Sequence, residues 1–176
     1  MIKTTTIGTP IGEMAAASTS GGICLLEFTE GRDMATVWGE LAKDMNDEVK
    51  PGWNLHLWRL RRQLKEYFKG TRKGFSIPLV TPGTDFQKEV WNNLSEIPYG
   101  STISYQKQAD TLKNSEAVRA VAQANSSNRI AIVIPCHRVI GSDGTLVGYS
   151  GGLKRKRWLI DHEKKYSGQA VDQELF

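Results

Sequence analysis

The segment Thr71–Gly83 constrains the fold of this chain more than any other stretch. It holds two prolines, Pro78 and Pro82, and two glycines, Gly74 and Gly83. That density of helix breakers and ladder breakers allows at most a short strand, which we place at Ile77–Val80. We take the end of this segment as a domain boundary. The 176 residues are room for one ordinary domain or two small ones. We expect an N-terminal domain over residues 1–83, a second domain over 84–165, and a flexible tail over 166–176.

The N-terminal half reads as α+β. Residues 1–8 and 13–19 are strand-like and are separated by Gly8, Pro10 and Gly12. Ser20-Gly21-Gly22 is a turn, and Ile23 to Phe28 is a third strand. A helix is predicted over 32–44, with Met34, Val37 and Leu41 on one face. A stronger one is predicted over 54–69, where Leu57, Leu60, Leu64 and Phe68 form a stripe opposite basic residues, and Gly70 ends it.

Beyond Gly83, Thr84-Asp85-Phe86-Gln87 reads as a capping box opening a helix. Phe86, Val90, Trp91 and Leu94 form its buried face, and Pro98-Tyr99-Gly100 stops it. Ser104 caps a short helix to Leu112. Asn114-Ser115 breaks it, and Ser115 caps a second helix to Asn125. Two short helices on a tight turn resemble a helix-turn-helix, although helix pairs occur in every all-α fold. In the second helix Ala117, Ala120, Ala122 and Ala124 surround Arg119. Small residues suit close approach to a minor groove. Composition by itself favours a tightly packed helix.

Hydrophobic residues make up 39% of the chain and charged residues 24%, as in globular domains. The net charge of +4 permits a nucleic-acid partner without requiring one. Lys154 to Arg157 form a basic run, with Lys164 and Lys165 further along; a solvated helix start accounts for it equally well. No apolar run approaches the roughly 20 residues of a membrane span. The first residues show no basic region leading into an apolar stretch. A cytoplasmic protein is expected, nucleoid-associated if prokaryotic. Cys24, within ICLLEF, reads as a core thiol. The two cysteines do not form a disulfide framework, and with the three histidines they match no zinc-ligand spacing.

Chemistry is suggested at Pro135-Cys136-His137-Arg138-Val139, which follows the apolar run Ile130–Ile134. A thiol needs a neighbouring base or cation to become a nucleophilic thiolate. Histidine supplies such a base when a carboxylate orients it. Cys-His adjacency alone favours a core cysteine beside a surface histidine. Gly141 to Gly144 is a turn, and Gly148-Tyr149-Ser150-Gly151-Gly152 is a loop with accessible backbone amides. A final helix starts near Leu153, with Trp158 and Leu159 packing inward. Glu163, seven positions after Lys156, shares a face with it.

Taken together, these residues resemble the 6-O-alkylguanine-DNA alkyltransferase family. The likeness rests on Pro135–Val139 and on Ile97-Pro98-Tyr99-Gly100, Ser104-Tyr105-Gln106, Arg119-Ala120-Val121 and Asn128. It extends through the 134–140 segment, Gly148–Gly152 and Lys156-Arg157-Trp158-Leu159 to His162-Glu163, and covers about residues 84–165. The resemblance implies a ribonuclease-H-like N-terminal domain followed by a winged helix-turn-helix-like domain. It implies repair by direct reversal, with one irreversible transfer of an alkyl group, methyl foremost, from 6-O-alkylguanine and also 4-O-alkylthymine. The partner implied is double-stranded DNA entered from the minor groove by a monomer.

The same resemblance assigns roles. Cys136 accepts the alkyl group, and His137 deprotonates it through a water while Glu163 holds the histidine. Asn128 orders the active-site turn, and Tyr105 donates a proton toward the guanine ring. Tyr149 and the Ser150 amide line the base pocket, the Val139 carbonyl meets the exocyclic amine, and Lys156 approaches thiolate and base. Arg119 fills the gap left by the flipped nucleotide. Arg119, Ala120, Ala122, Tyr105 and Arg138 contact DNA. Sulfur attack on a methyl carbon needs no metal or diffusible cofactor, and the thioether product offers no route to turnover.

Three positions depart from the family pattern. Arg129 stands where proline usually follows Asn128, Lys113-Asn114-Ser115 where the turn often holds Gly-Asn-Pro, and Ala122 where glycine is frequent. Three other readings compete. An alkyltransferase-like damage sensor would lack Cys136. A winged-helix regulator would leave Tyr105, Asn128, His137 and Glu163 unexplained. A cysteine hydrolase would turn over esters and need an oxyanion hole.

Overall fold

A computed structural model describes residues 1–168. The chain divides into two compact units between Pro82 and Gly83. Most of the tail considered above, 169–176, lies outside the described residues. Tyr166 is the last residue of a helix, and the Ser167 amide closes onto the Glu163 carbonyl at 2.9 Å. Among the described residues, no helix is long and apolar enough to cross a membrane.

The first unit is a four-stranded sheet with two helices. Strands β1 (Ile2–Thr9), β2 (Gly12–Thr19) and β3 (Gly22–Phe28) form an antiparallel meander. The short β4 (Val49–Pro51), which periodicity did not reveal, adds parallel to β1, giving the order β3-β2-β1-β4. Met14 to Ala17 are all fully buried, so both faces of the sheet are covered. Helix α1 (Met34–Met45) packs on Ala15, Ala17, Cys24 and Leu25. Helix α2 (Leu55–Phe68) buries Leu57, Leu60, Leu64 and Tyr67 and contacts β1, β2 and β3. Asn54 starts α2 by accepting the Leu57 amide, and also accepts the Ser18 hydroxyl at 2.8 Å.

The strand expected at Ile77–Val80 shrinks to a single bridge between Leu79 and Ile23. Pro78 has no N–H to extend a ladder. Its carbonyl accepts the Ile23 amide at 2.9 Å, and Val80 donates to the Ile23 carbonyl at 2.8 Å. Gly22 permits this crossing, since a Cβ there would lie 2.3 Å from the Pro78 oxygen.

The second unit is mostly helical. Helix α3 (Asp85–Ser95) opens on a complete capping box between Thr84 and Gln87. Val90 of α3, Ala109 of α4 (Tyr105–Thr111), and Val121 and Ala124 of α5 (Val118–Ser126) form its core. Trp91 Nε1 donates to the Ala124 carbonyl at 2.9 Å, tying α3 to α5. Between α4 and α5 the buried amides of Gln108 and Asn125 exchange hydrogen bonds of 3.0 and 2.7 Å. These bonds lock the helix pair.

Ser104 caps α4 as expected, but Ser115 does not cap α5. The chain turns through Lys113, which adopts φ 57°, and α5 starts only at Val118 without a side-chain cap. Lys113 thus occupies the left-handed conformation that glycine adopts at less cost. A parallel pair that the sequence did not announce, β5 (Ile103–Ser104) with β6 (Val139–Ile140), joins the start of α4 to the segment after Cys136. Helix α6 (Leu153–Tyr166) closes the unit.

Candidate active site

Cys136 begins a single 3-10 turn, Cys136–Arg138, between the 130–134 run and β6. That run is not a strand. Val133 donates to the Ala131 carbonyl, Ile134 to Ile130 and Cys136 to Ile134, all within 3.0 Å. Ile132 sits at φ 71°, a strained conformation for a β-branched residue. Asn128 braces the coil from inside. Its Nδ2 donates to the Ile134 carbonyl at 2.8 Å, and its Oδ1 accepts the Ile130 amide at 2.9 Å. Its side chain also hydrogen-bonds the Cys136 thiol. Arg129, in place of proline, leaves this brace intact.

Three elements converge beside the thiol. From α6 comes Glu163, 1% exposed, whose Oε1 lies 2.6 Å from His137 Nε2. Arg138 reaches the same carboxylate with Nε at 2.8 Å and Nη2 at 3.0 Å. Burial on its own would raise the Glu163 carboxyl. The charge and hydrogen bond of His137, followed by those of Arg138, outweigh it and hold the group well below the usual carboxylate range. The other ring nitrogen, His137 Nδ1, is buried and has no hydrogen-bond partner in the protein.

Lys156, about two turns before Glu163 on α6, is fully buried. Its Nζ donates to the Val147 and Gly148 carbonyls, each at 3.0 Å, and sits 5.7 Å from the centre of the Tyr105 ring. Burial lowers its pKa to about 8, against an opposing pull from Cys136. Tyr105, at the start of α4, donates its hydroxyl to the same Val147 carbonyl at 2.9 Å. Burial raises the Tyr105 phenol, and proximity to Cys136 adds to this. The Tyr149 hydroxyl is buried without a hydrogen-bond partner, and burial holds its phenol well above the ordinary value.

The half-buried Cys136 thiol is pushed upward by burial, which outweighs the Asn128 hydrogen bond and the Lys156 charge that lower it. The resting group is therefore a thiol rather than a preformed thiolate, and reaction needs a base.

The structure thus gathers Cys136, His137, Glu163, Asn128, Lys156, Tyr105 and the 147–149 loop in one place. Val139 is buried in β6 directly after the nucleophile turn. Ser150 is exposed in the adjoining loop. Arg119 and Ala120 stand apart, exposed on α5, with Ala122 half-buried beside them; Ala124 belongs to the core. Arg138 differs from expectation. It is 7% exposed, and its third nitrogen, Nη1, donates to the Ile97 carbonyl at 2.6 Å. With all three nitrogens engaged inside the unit, it supports Glu163 rather than facing DNA. The sequence signal for this was a cation next to His137 in the same short turn as the nucleophile.

A thiol with a buried His–Glu pair beside it, mounted on a helix-turn-helix-like frame, defines a protein that performs cysteine chemistry on a nucleic acid. Residues 2–81 match the family model described as 6-O-methylguanine DNA methyltransferase, ribonuclease-like domain, and residues 85–165 match its DNA binding domain. The chain is 41% identical to the methylated-DNA–protein-cysteine methyltransferase of Methanosarcina barkeri, over 90% of this chain and 94% of that one. It is 40% identical to the constitutive enzyme of that name from Bacillus subtilis, over 91% and 94%. The crystal structure of Mycobacterium tuberculosis OGT in complex with DNA superposes with a TM-score of 0.80 at 38% identity, covering 94% of this chain and 93% of that one. The chain belongs to the 6-O-methylguanine DNA methyltransferase family.

Proposed function

We infer that this chain is a methylated-DNA–protein-cysteine methyltransferase, which repairs DNA by moving an alkyl group from the 6-oxygen of guanine to Cys136. The observation that carries this reading is the buried His137–Glu163 contact of 2.6 Å, with the other ring nitrogen, Nδ1, buried and unpartnered on the residue that follows Cys136. A water at Nδ1 relays the thiol proton to the ring, and the ionised Glu163 stabilises the imidazolium that results. The thiolate attacks the alkyl carbon, a C–S bond forms and the C–O bond breaks, with the electron pair departing on the guanine oxygen. Tyr105 supplies a proton to the ring, leaving the Val147 carbonyl to do so. Lys156 balances charge near the sulfur and pins the 147–148 backbone.

The reacting oxygen lies within the duplex stack, so the nucleotide must be extruded. Arg119, exposed on α5 with Ala120 and Ala122 at its side, enters from the minor groove and occupies the vacated space. Tyr149, the Ser150 amide and the Val139 carbonyl receive the base. The same pocket chemistry admits 4-O-alkylthymine. The protein acts as a monomer, in the compartment that holds the DNA.

Intact-mass measurement tests this. After incubation with a duplex carrying 6-O-methylguanine, the protein gains one methyl group, on Cys136, and Cys136→Ala gains none. Repeated turnover, or transfer to another residue, would overturn the assignment. Arg119→Ala slows repair of the duplex far more than reaction with free 6-O-alkylguanine, and equal losses on both would remove its role in extrusion.

A further inference from the structure

The N-terminal unit contains a cleft that methyl transfer does not use. Its volume is about 640 Å³, within the range of ligand sites. Buried Ile7 and Leu64 line it, together with the half-buried rings of Trp53 and Phe68. Arg61, Lys65 and Lys69, all exposed, bring cationic groups to the same cleft. Trp53 stacks on Trp58 with ring centres 4.3 Å apart, and the Arg61 guanidinium lies 5.7 Å from each ring. Trp58 itself is 51% exposed.

The charge around this cleft is strongly biased. From Leu55 to Lys73 there are seven lysines and arginines and one carboxylate, Glu66. That excess of six exceeds the +4 of the whole chain, so the rest of the sequence is at −2. Glu66 is taken by Arg72 at 2.6 Å and by Arg62 at 3.8 Å. Among the described residues, no carboxylate pairs with Arg61, Lys65 or Lys69. Cations without a carboxylate partner, set beside half-buried aromatic rings, form a surface for an anionic ligand that also carries flat rings.

We propose that this cleft binds single-stranded nucleic acid, with a base against Trp53 and Phe68 and the adjoining phosphates on Arg61, Lys65 and Lys69. A duplex keeps its base faces inside the stack and would leave the rings idle, whereas an unpaired strand offers base faces and phosphates together. An acidic peptide satisfies the lysines but not the aromatic wall. The strand contact is separate from Cys136 and holds the full chain on DNA through a second surface.

The test uses the full chain in an Arg119→Ala background, which mutes the extrusion helix, and an undamaged fluorescein-labelled 12-nucleotide oligothymidylate as probe. Trp53→Ala weakens binding about tenfold, in line with one lost base stack. Joint replacement of Arg61, Lys65 and Lys69 by Glu weakens it by a larger factor and flattens its salt dependence. Photocrosslinking of a 5-iodouracil strand labels a peptide containing Trp53 or Phe68. Methyl transfer from free 6-O-methylguanine to Cys136 stays within twofold in each variant, which reports an intact C-terminal unit. If the triple variant fails to fold, Trp53→Ala and the crosslink map decide. Binding unchanged within twofold in Trp53→Ala, crosslinks confined to residues after 83, or equal competition by polyglutamate would each overturn the proposal.

Discussion

Arg138 grips Glu163 with two guanidinium nitrogens, at 2.8 and 3.0 Å, while the same carboxylate meets His137 at 2.6 Å. One buried anion thus serves a structural cation and a chemical base together. Removing a charge from water is costly, and the pairing is favourable only because both carboxylate oxygens and all three guanidinium nitrogens are engaged. The site therefore depends on a residue that touches neither the thiol nor, on our reading, the DNA.

Arg138→Ala leaves the Glu163 charge half-compensated in the interior. We expect a loss of about 3–5 kcal/mol, read by urea unfolding, together with slower single-turnover transfer. Arg138→Lys restores charge without the fork and recovers only part of both. Duplex affinity, followed by fluorescence anisotropy, remains within twofold, because the guanidinium points inward.

Glu163→Gln preserves shape and removes the charge that steadies His137. Transfer falls by about 10²–10⁴, with DNA binding retained. The carboxyl titrates lower in the folded protein than its unfolded reference of 4.5. Its contribution is thus complete above that pH and is lost as pH falls toward the folded value. The stability gap between wild type and variant narrows as pH falls below about 4.5, as thermal unfolding across pH would show.

Lys156 titrates near 8 in the fold, against 10.5 for a free lysine. The unfolded chain binds that proton more tightly, so the buried ammonium is a burden below pH 8 that is relieved as pH rises toward 10.5. Compared with Lys156→Met, the wild type gains stability across that window. The ammonium also lowers the Cys136 thiol. In Lys156→Met, alkylation of Cys136 by iodoacetamide therefore shifts to higher pH.

The Gln108–Asn125 amide pair is closed and buried. Gln108→Leu strands the Asn125 amide and costs about 1–3 kcal/mol. Adding Asn125→Leu recovers part of the loss. A double-mutant cycle in urea would measure the coupling, and strict additivity would show that the pair does not lock the two helices.

Much of the architecture was legible because its causes are local. The stripe Leu57, Leu60, Leu64 follows the helix period, Thr84 and Gln87 form a capping box within four residues, and the β1–β2–β3 strands are separated by glycine-marked turns. The errors also have physical reasons. Ser115 has the chemistry of a cap, but Lys113 turns the chain and the helix starts later. Pro78 sits in a strand-like run but lacks the N–H that a ladder requires.

By itself, the sequence determined the two cores, the order of the helices, and the placing of Cys136 next to His137. It left a resting core cysteine as the plainer reading of that adjacency. Only the tertiary structure decided that Glu163 comes 2.6 Å from His137, that Arg138 serves the same carboxylate, and that Ile103 pairs with Val139 to set the nucleophile turn against α4. Caps and periods act over a few residues and are written in neighbouring positions. The partner of a buried charge is chosen by which distant groups desolvate together, and that choice exists only once the chain has folded.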